Sequence, residues 1–112
     1  MVARVSSVSL NKLVYVERRP ALVLFTGDWC GDCANFAPTW ERWNSRQVGP
    51  IYALEVLRGA PEWNDWEIDE IPTVVAYSDG VEKGRSAGRI LESDLDRLLQ
   101  HVRGDRAVEK ST

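Results

Sequence analysis

The chain holds two cysteines, Cys30 and Cys33, and they stand together in Trp29-Cys30-Gly31-Asp32-Cys33. A Cys-x-x-Cys pair can close and reopen a disulfide, and the species that attacks another disulfide is the thiolate rather than the thiol. The apolar run Ala21-Leu22-Val23-Leu24-Phe25 leads into the pair, and a helix-like stretch over 34–46 follows it. A strand that delivers cysteines to the first turn of a helix favours the thiolate, because free N–H groups and the positive dipole end lie there. Two other uses of the pair compete with redox chemistry: half of a zinc site, or two inert buried thiols. Zinc takes about four ligands, and beyond the cysteines the chain offers a single histidine, His101, far away in sequence. A ring this small does little to stabilise a fold, so in a reducing compartment the pair reads as catalytic rather than structural.

The positioning elements must come from a chain of 112 residues, which fits one domain over 1–112 with a core large enough to need no staple. Apolar residues make up 44% and charged ones 28%, an ordinary globular balance, and a formal charge of −3 speaks against a nucleic-acid or anionic-membrane surface. Met1-Val2-Ala3-Arg4-Val5-Ser6-Ser7 lacks a basic segment followed by a long apolar one, and no apolar run is long enough to span a bilayer. The expectation is a soluble, cytoplasmic protein with no nucleic-acid or membrane partner.

Val2 to Val5 suggests a short strand, after which Ser9 is placed to cap a helix carrying Leu10, Leu13 and Val14. Arg18-Arg19-Pro20 ends it. From Ala21 to Thr26 the apolar residues are consecutive, which suits a central strand covered on both faces, and Gly27-Asp28 permits the turn into the cysteines. Phe36, Trp40 and Trp43 recur at helical spacing and read as packing residues, with Pro38 inside the pattern predicting a kink. Val48-Gly49-Pro50 breaks the chain, Ile51 to Leu57 is strand-like, and Pro61 fits the start of a short helix with Trp63 and Trp66.

Glu62, Asp65, Glu67, Asp69 and Glu70 form an acidic approach to Ile71-Pro72-Thr73, read as a solvated face ahead of a role in substrate selection. Thr73 to Ser78 is a strand, Asp79-Gly80 a hairpin turn and Val81 to Ala87 the returning edge strand. Ser93 and Asp96 resemble a capping box, and Leu95, Leu98, Leu99 and Val102 make the buried stripe of the last helix. His101 is expected near that helix's end as a dipole partner, and 104–112 as a polar, frayed tail.

Taken together, this element order, with Trp29-Cys30-Gly31 and Cys33, Ala37-Pro38, Ile71-Pro72-Thr73, Asp79-Gly80 and Gly88, resembles the thioredoxin family over nearly the whole chain. The resemblance implies the α/β thioredoxin fold, a central mixed β-sheet flanked by helices on both faces, with a cis peptide before Pro72 lying against the cysteines. Composition and periodicity alone indicate only a small α/β domain. It also implies a protein-disulfide reductase: Cys30 attacks a target disulfide and Cys33 displaces the reduced target from the resulting mixed disulfide. Gly31 is expected to allow the tight turn and close approach of substrate. Trp29 is expected to flank the cysteine as an apolar wall, a placement that packing alone explains equally well. The backbone of Ile71 is expected to pair with an extended substrate, and Pro72 to keep that edge open and keep metal off the thiols. No cofactor is implied beyond the Cys30–Cys33 disulfide and dithiol. The implied partners are disulfide-containing proteins and a thioredoxin-reductase-like electron donor.

Three departures from the family pattern bear on the chemistry. The buried aspartate that commonly serves the second cysteine falls on Leu24, and its usual lysine partner, counted back from Pro72, falls on Ala53. Their joint loss is self-consistent, since either charge alone in a core is costly. The proline usual between the cysteines is Asp32. At ~7 Å and an effective dielectric of ~40, its carboxylate repels the Cys30 thiolate by ~1 kcal/mol, and a helix N-terminus opposes that by ~0.3–1 kcal/mol. The near cancellation places the expected potential near the ~−270 mV of thioredoxin rather than at the oxidising end. With the relay position apolar, Asp32 is also a candidate proton carrier for Cys33, set against a plain role as an acidic first-turn residue. Competing functions are a specialised reductase with narrow substrates and a thioredoxin-fold binding or adaptor module without catalysis, including a dimer holding zinc through Cys30 and Cys33 of each chain.

Overall fold

The computed structural model describes residues 3–27, 29–47, 51–56 and 64–111. In chain order its elements are strand β1 (Ala3–Arg4), helix α1 (Ser7–Asn11) running into a π-helical turn (Lys12–Val16), β2 (Ala21–Thr26), α2 (Gly31–Asn44), β3 (Ile51–Glu55), β4 (Thr73–Ser78), β5 (Val81–Ala87) and α3 (Glu92–Ser111). The strands form one mixed sheet in the order β1-β3-β2-β4-β5. The first three neighbours run parallel and the β2–β4 and β4–β5 pairs antiparallel.

Strand β2 sits at the centre, as its unbroken apolar run requires, and its alternate residues feed two cores. Ala21, Val23 and Phe25 pack with Leu10, Val14, Trp66 and Tyr77 on one face. Leu22 and Leu24 pack with Phe36, Trp40, Trp43, Leu95, Leu98 and Val102 on the other. Helices therefore cover both faces, as in the thioredoxin fold. Trp43 is wholly buried, and its Nε1–H donates to Asp96 at 2.8 Å, pinning α2 to α3. Arg42 and Arg46 add ion pairs to Glu92 across the same seam. The β4–β5 hairpin turns on Asp79 and Gly80, both at positive φ (56° and 77°). That matches the twist two-residue hairpins need and explains the Asp-Gly pair.

Several local expectations are corrected. Helix α1 is capped by Ser6, whose side chain accepts from the Ser9 N–H, so Ser9 lies inside the first turn. At α3 it is Asp94 that reaches back to the Leu91 N–H, at 2.8 Å. Asp96 is drawn away to Trp43, and the reciprocal cap falls to the acid three residues after Leu91. Helix α3 continues to Ser111, so His101 lies midway along it, away from the terminal carbonyls. Helix α2 starts at Gly31 and is continuous through Pro38. The expectations for Asp28, Val48-Gly49-Pro50, Leu57, Pro61, Glu62 and Trp63 lie outside the described residues.

Candidate functional site

The site is assembled where β2 ends, α2 begins and the Ile71-Pro72 turn enters β4. Cys30 is the N-cap of α2, with extended backbone (φ −110°, ψ 118°), and its Sγ accepts the Cys33 N–H at 3.1 Å. The sulfur thus takes one of the unpaired amides that begin any helix. From the other side, the Cys30 thiol faces the Ile71 carbonyl oxygen at 3.6 Å. The Ile71–Pro72 peptide is cis, and the Pro72 carbonyl accepts from the Gly88 N–H at 3.0 Å. Both cysteines are free thiols.

The two sulfurs have different surroundings. Cys30 is half-buried and Cys33 only 4% exposed. Burial is the largest influence on the Cys33 thiol and pushes it up, with the contact to Cys30 Sγ acting in the same direction. The Thr26 hydroxyl and the Gly27 backbone pull the other way without overcoming it. A thiol that holds its proton this way is suited to wait as the second nucleophile.

Outside the pair, Trp29, Cys30, Gly31, Asp32, Asp69, Glu70 and Ile71 line an open groove of about 470 Å³. The sequence-predicted residues Trp29, Gly31, Asp32 and Ile71 are thus brought together around Cys30, and Pro72 lies buried behind Ile71. Trp29 is 39% exposed. A methyl on Gly27 would come within 2.9 Å of the Val56 carbonyl oxygen and 3.0 Å of Trp29 Nε1, so the tryptophan's seat needs a glycine there. Gly31 carries no such demand: nothing lies within 4 Å of an added Cβ and its φ is not in the left-handed region. The tight turn does not require it, and what it leaves is open space beside Cys30.

Inside the pair lies a second cavity, of about 370 Å³, lined by Cys30, Cys33, Arg4, Leu24, Thr26, Gly27, Ala34, Ala37, Trp40, Glu41, Ala53 and Glu55. The β2–β3 register sets Leu24 directly beside Ala53, the two positions where the family's ion pair is expected. Asp32 does not line this cavity. It is exposed and faces the outer groove and a further one toward Gly88 and Arg89. Thr26, Trp40 and Glu41 are the site neighbours that sequence reasoning missed. Thr26, as the last residue of a strand aimed at the cysteines, carried a positional signal, whereas Trp40 and Glu41 carried none beyond helical spacing. Among the described residues no group of three or more His, Cys, Asp or Glu side chains is placed to hold a metal ion, and no helix is long and apolar enough to cross a membrane.

Comparison with known proteins agrees with this arrangement. The thioredoxin family model matches residues 1–101. The chain is 31% identical over 103 residues to a mitochondrial thioredoxin O of Oryza sativa subsp. japonica, covering 87% of this chain and 59% of that protein. It is 29% identical over 85 residues to a probable thioredoxin-2 of Caenorhabditis elegans, covering 74% of this chain and 59% of that one. The chain therefore spans about three-fifths of the length of either relative. In fold it resembles the crystal structure of reduced Schistosoma mansoni thioredoxin pre-protein, with a TM-score of 0.76 at 18% identity over 90% of this chain and 98% of that one. With the thioredoxin model covering residues 1–101 of its 112, this protein belongs to the thioredoxin family.

Proposed function

We propose that the protein is a cytoplasmic thiol–disulfide oxidoreductase that reduces protein disulfides through Cys30 and Cys33. The observation that carries this is the asymmetry of the pair: a half-exposed sulfur at a helix N-terminus, 3.1 Å from the Cys33 amide, beside a buried one. Cys30 as thiolate attacks a target sulfur, the target's S–S bond breaks, and one target thiolate departs. Cys33 then gives up its proton and attacks Cys30, closing the Cys30–Cys33 disulfide and releasing the second target thiol. The amide at Cys33 stabilises charge on Cys30 in the first step. The position of the Ile71 carbonyl, 3.6 Å from Cys30 Sγ, supports a substrate backbone that runs extended beside the sulfur. Electrons return from a thioredoxin-reductase-like flavoenzyme, and the dithiol itself is the only redox group required.

The test is reduction of insulin and of dithiobis(nitrobenzoate), driven by dithiothreitol and then by NADPH with a thioredoxin reductase, alongside a zinc determination. Turnover of both disulfides is the expected result. Binding of partners or zinc without turnover overturns it in favour of an adaptor module.

A second reading, a reductase of narrower range, is favoured by one observation: the groove beside Cys30 is walled by Asp32, Asp69 and Glu70. Three carboxylates around the entering disulfide favour substrates with lysine or arginine near their cysteines. Faster reduction of basic than of acidic disulfide peptides, with the difference shrinking as salt rises, is its signature.

A further inference from the structure

Where the family's buried ion pair would serve the second cysteine, this chain has Leu24 beside Ala53. Cys33 is nonetheless 4% exposed and held protonated by its burial, so a proton must leave an enclosed thiol before it can attack. The cavity that Cys33 lines offers an acceptor a route to it. The ionisable side chains lining that cavity are few: Arg4 from β1, Glu55 from β3, Glu41 from α2 and the cysteines themselves, with the Thr26 hydroxyl from β2. Arg4 and Glu55 are engaged with each other. Glu41 has no side-chain partner among the described residues.

The spacing along α2 adds to this. Cys33, Ala37 and Glu41 are four residues apart, so they follow one strip of the helix, and all three line the cavity. Eight residues rise about 12 Å. Both side chains lean back toward the helix N-terminus, the longer glutamate further than the cysteine, which closes part of that distance and leaves a gap for a file of waters. The residue between is alanine, which leaves the strip open. Trp40, 3% exposed, also lines the cavity. A volume of about 370 Å³ has room for ordered water, with the Arg4, Glu41, Glu55 and Thr26 side chains as its polar partners.

We propose that Glu41 takes the Cys33 proton through water held in the cavity between β2, β3 and α2, in place of the missing buried acid. This rests on the dithiol-exchange reading above. The Cys33 S–H proton passes to water and on to the Glu41 carboxylate. The Cys33 sulfur attacks the Cys30 sulfur of the mixed disulfide, the Cys30–substrate S–S bond breaks, the Cys30–Cys33 bond forms, and the departing thiolate takes a proton from solvent. The protein dithiol is oxidised and the substrate disulfide reduced, with no further reagent.

The test is stopped-flow reaction of the reduced protein with dithiobis(nitrobenzoate), in which the first coloured thiolate reports attack by Cys30 and the second reports displacement by Cys33. Glu41→Gln is expected to leave the first phase within about twofold and to slow the second about ten- to a hundredfold at neutral pH, the lower part of the range for positioned proton transfer. The deficit should close at alkaline pH as hydroxide takes over, and Glu41→Asp should recover part of the rate. Ala37→Leu, which blocks the strip and keeps the charge, should show the same selective loss should Glu41→Gln fold poorly. An unchanged second phase in Glu41→Gln overturns the role of Glu41 and leaves the dithiol reading intact. So does an equal slowing of both phases without pH dependence, or a selective loss in Asp32→Asn instead. A wild-type protein that releases no second thiolate overturns the exchange reading itself.

Discussion

The two sulfurs of the site sit three residues apart and face opposite worlds. On the Cys30 side the sulfur is half-exposed, a helix amide points at it, and the groove in front is ringed by Asp32, Asp69 and Glu70. On the Cys33 side the residue is buried in the core cluster that holds Phe25, Val56, Trp66 and Ile71, and it lines a cavity together with Leu24, Ala53, Ala37 and Trp40. On the dithiol-exchange reading proposed above, the difference fits two chemical tasks: the exposed sulfur would meet partners, so its neighbours would set attraction and repulsion, whereas the buried one would meet Cys30, so its neighbours would set when its proton leaves.

The sharpest way to break this contrast is to remove each sulfur in turn. Cys30→Ser should abolish disulfide reduction, a loss of at least about 10³-fold in an insulin assay, because no other thiol is exposed to attack. Cys33→Ser should retain the first attack and accumulate a covalent mixed disulfide with the target, visible by non-reducing electrophoresis or intact mass. Equal loss of both steps in the two variants would mean the sulfurs are not differentiated.

Next in size is the seam that holds the outer wall. Gly27→Ala places a methyl 2.9 Å from the Val56 carbonyl. It should cost about 1–3 kcal/mol in urea unfolding, as overpacking does, and change Trp29 fluorescence, while a Gly31→Ala protein, with open space at that position, should unfold within about 0.5 kcal/mol of the parent. Equal costs would mean that the Trp29 seat is not close-packed.

Charge on the outer side is a smaller lever. Neutralising Asp69 and Glu70 together as Asn and Gln should slow reduction of a basic disulfide peptide about three- to tenfold at low salt and have little effect at about 1 M salt, where the Debye length is about 3 Å. A loss that ignores salt would assign those residues to packing.

The smallest expected effect comes from the inner side. Burial raises the Cys33 thiol above its ordinary value, so the folded, reduced protein retains a proton that the unfolded chain loses above about pH 8.5. With more protons bound in the native state, stability falls as pH rises from there through the folded value and is unaffected below it. Urea titrations at pH 7 and 10 should show the reduced wild type losing more stability than reduced Cys33→Ala. Identical losses would remove the claim that Cys33 ionisation is opposed by the fold.

Much of this was legible beforehand, and the successes share a cause. Strands β2, β4 and β5 have the limits read from the sequence, because an unbroken apolar run and an Asp-Gly turn at positive φ are local signals that tertiary context here reinforces. The cap assignments failed where several acids or serines compete within one turn: Ser6 in place of Ser9, and Asp94 in place of Asp96, which Trp43 claims from 53 residues away. His101 failed because helix α3 continues past it. Asp32 adjoins Cys33 in sequence, yet the first turn of a helix sends neighbours to different faces, so it joins the Cys30 groove.

The order of residues alone picked out Cys30 and Cys33 as the candidate chemistry, because two cysteines at this spacing ahead of an amphipathic helix have few other uses, and through the family resemblance it set Leu24 and Ala53 at the positions where buried charges are usual. Only the folded chain decided which sulfur is shielded, that Leu24 and Ala53 lie side by side, and that Glu41 and Trp40 share a cavity with Cys33. The reason is that enclosure depends on strand register and helix docking across some 30 residues of sequence, and no local pattern of residue types encodes a volume.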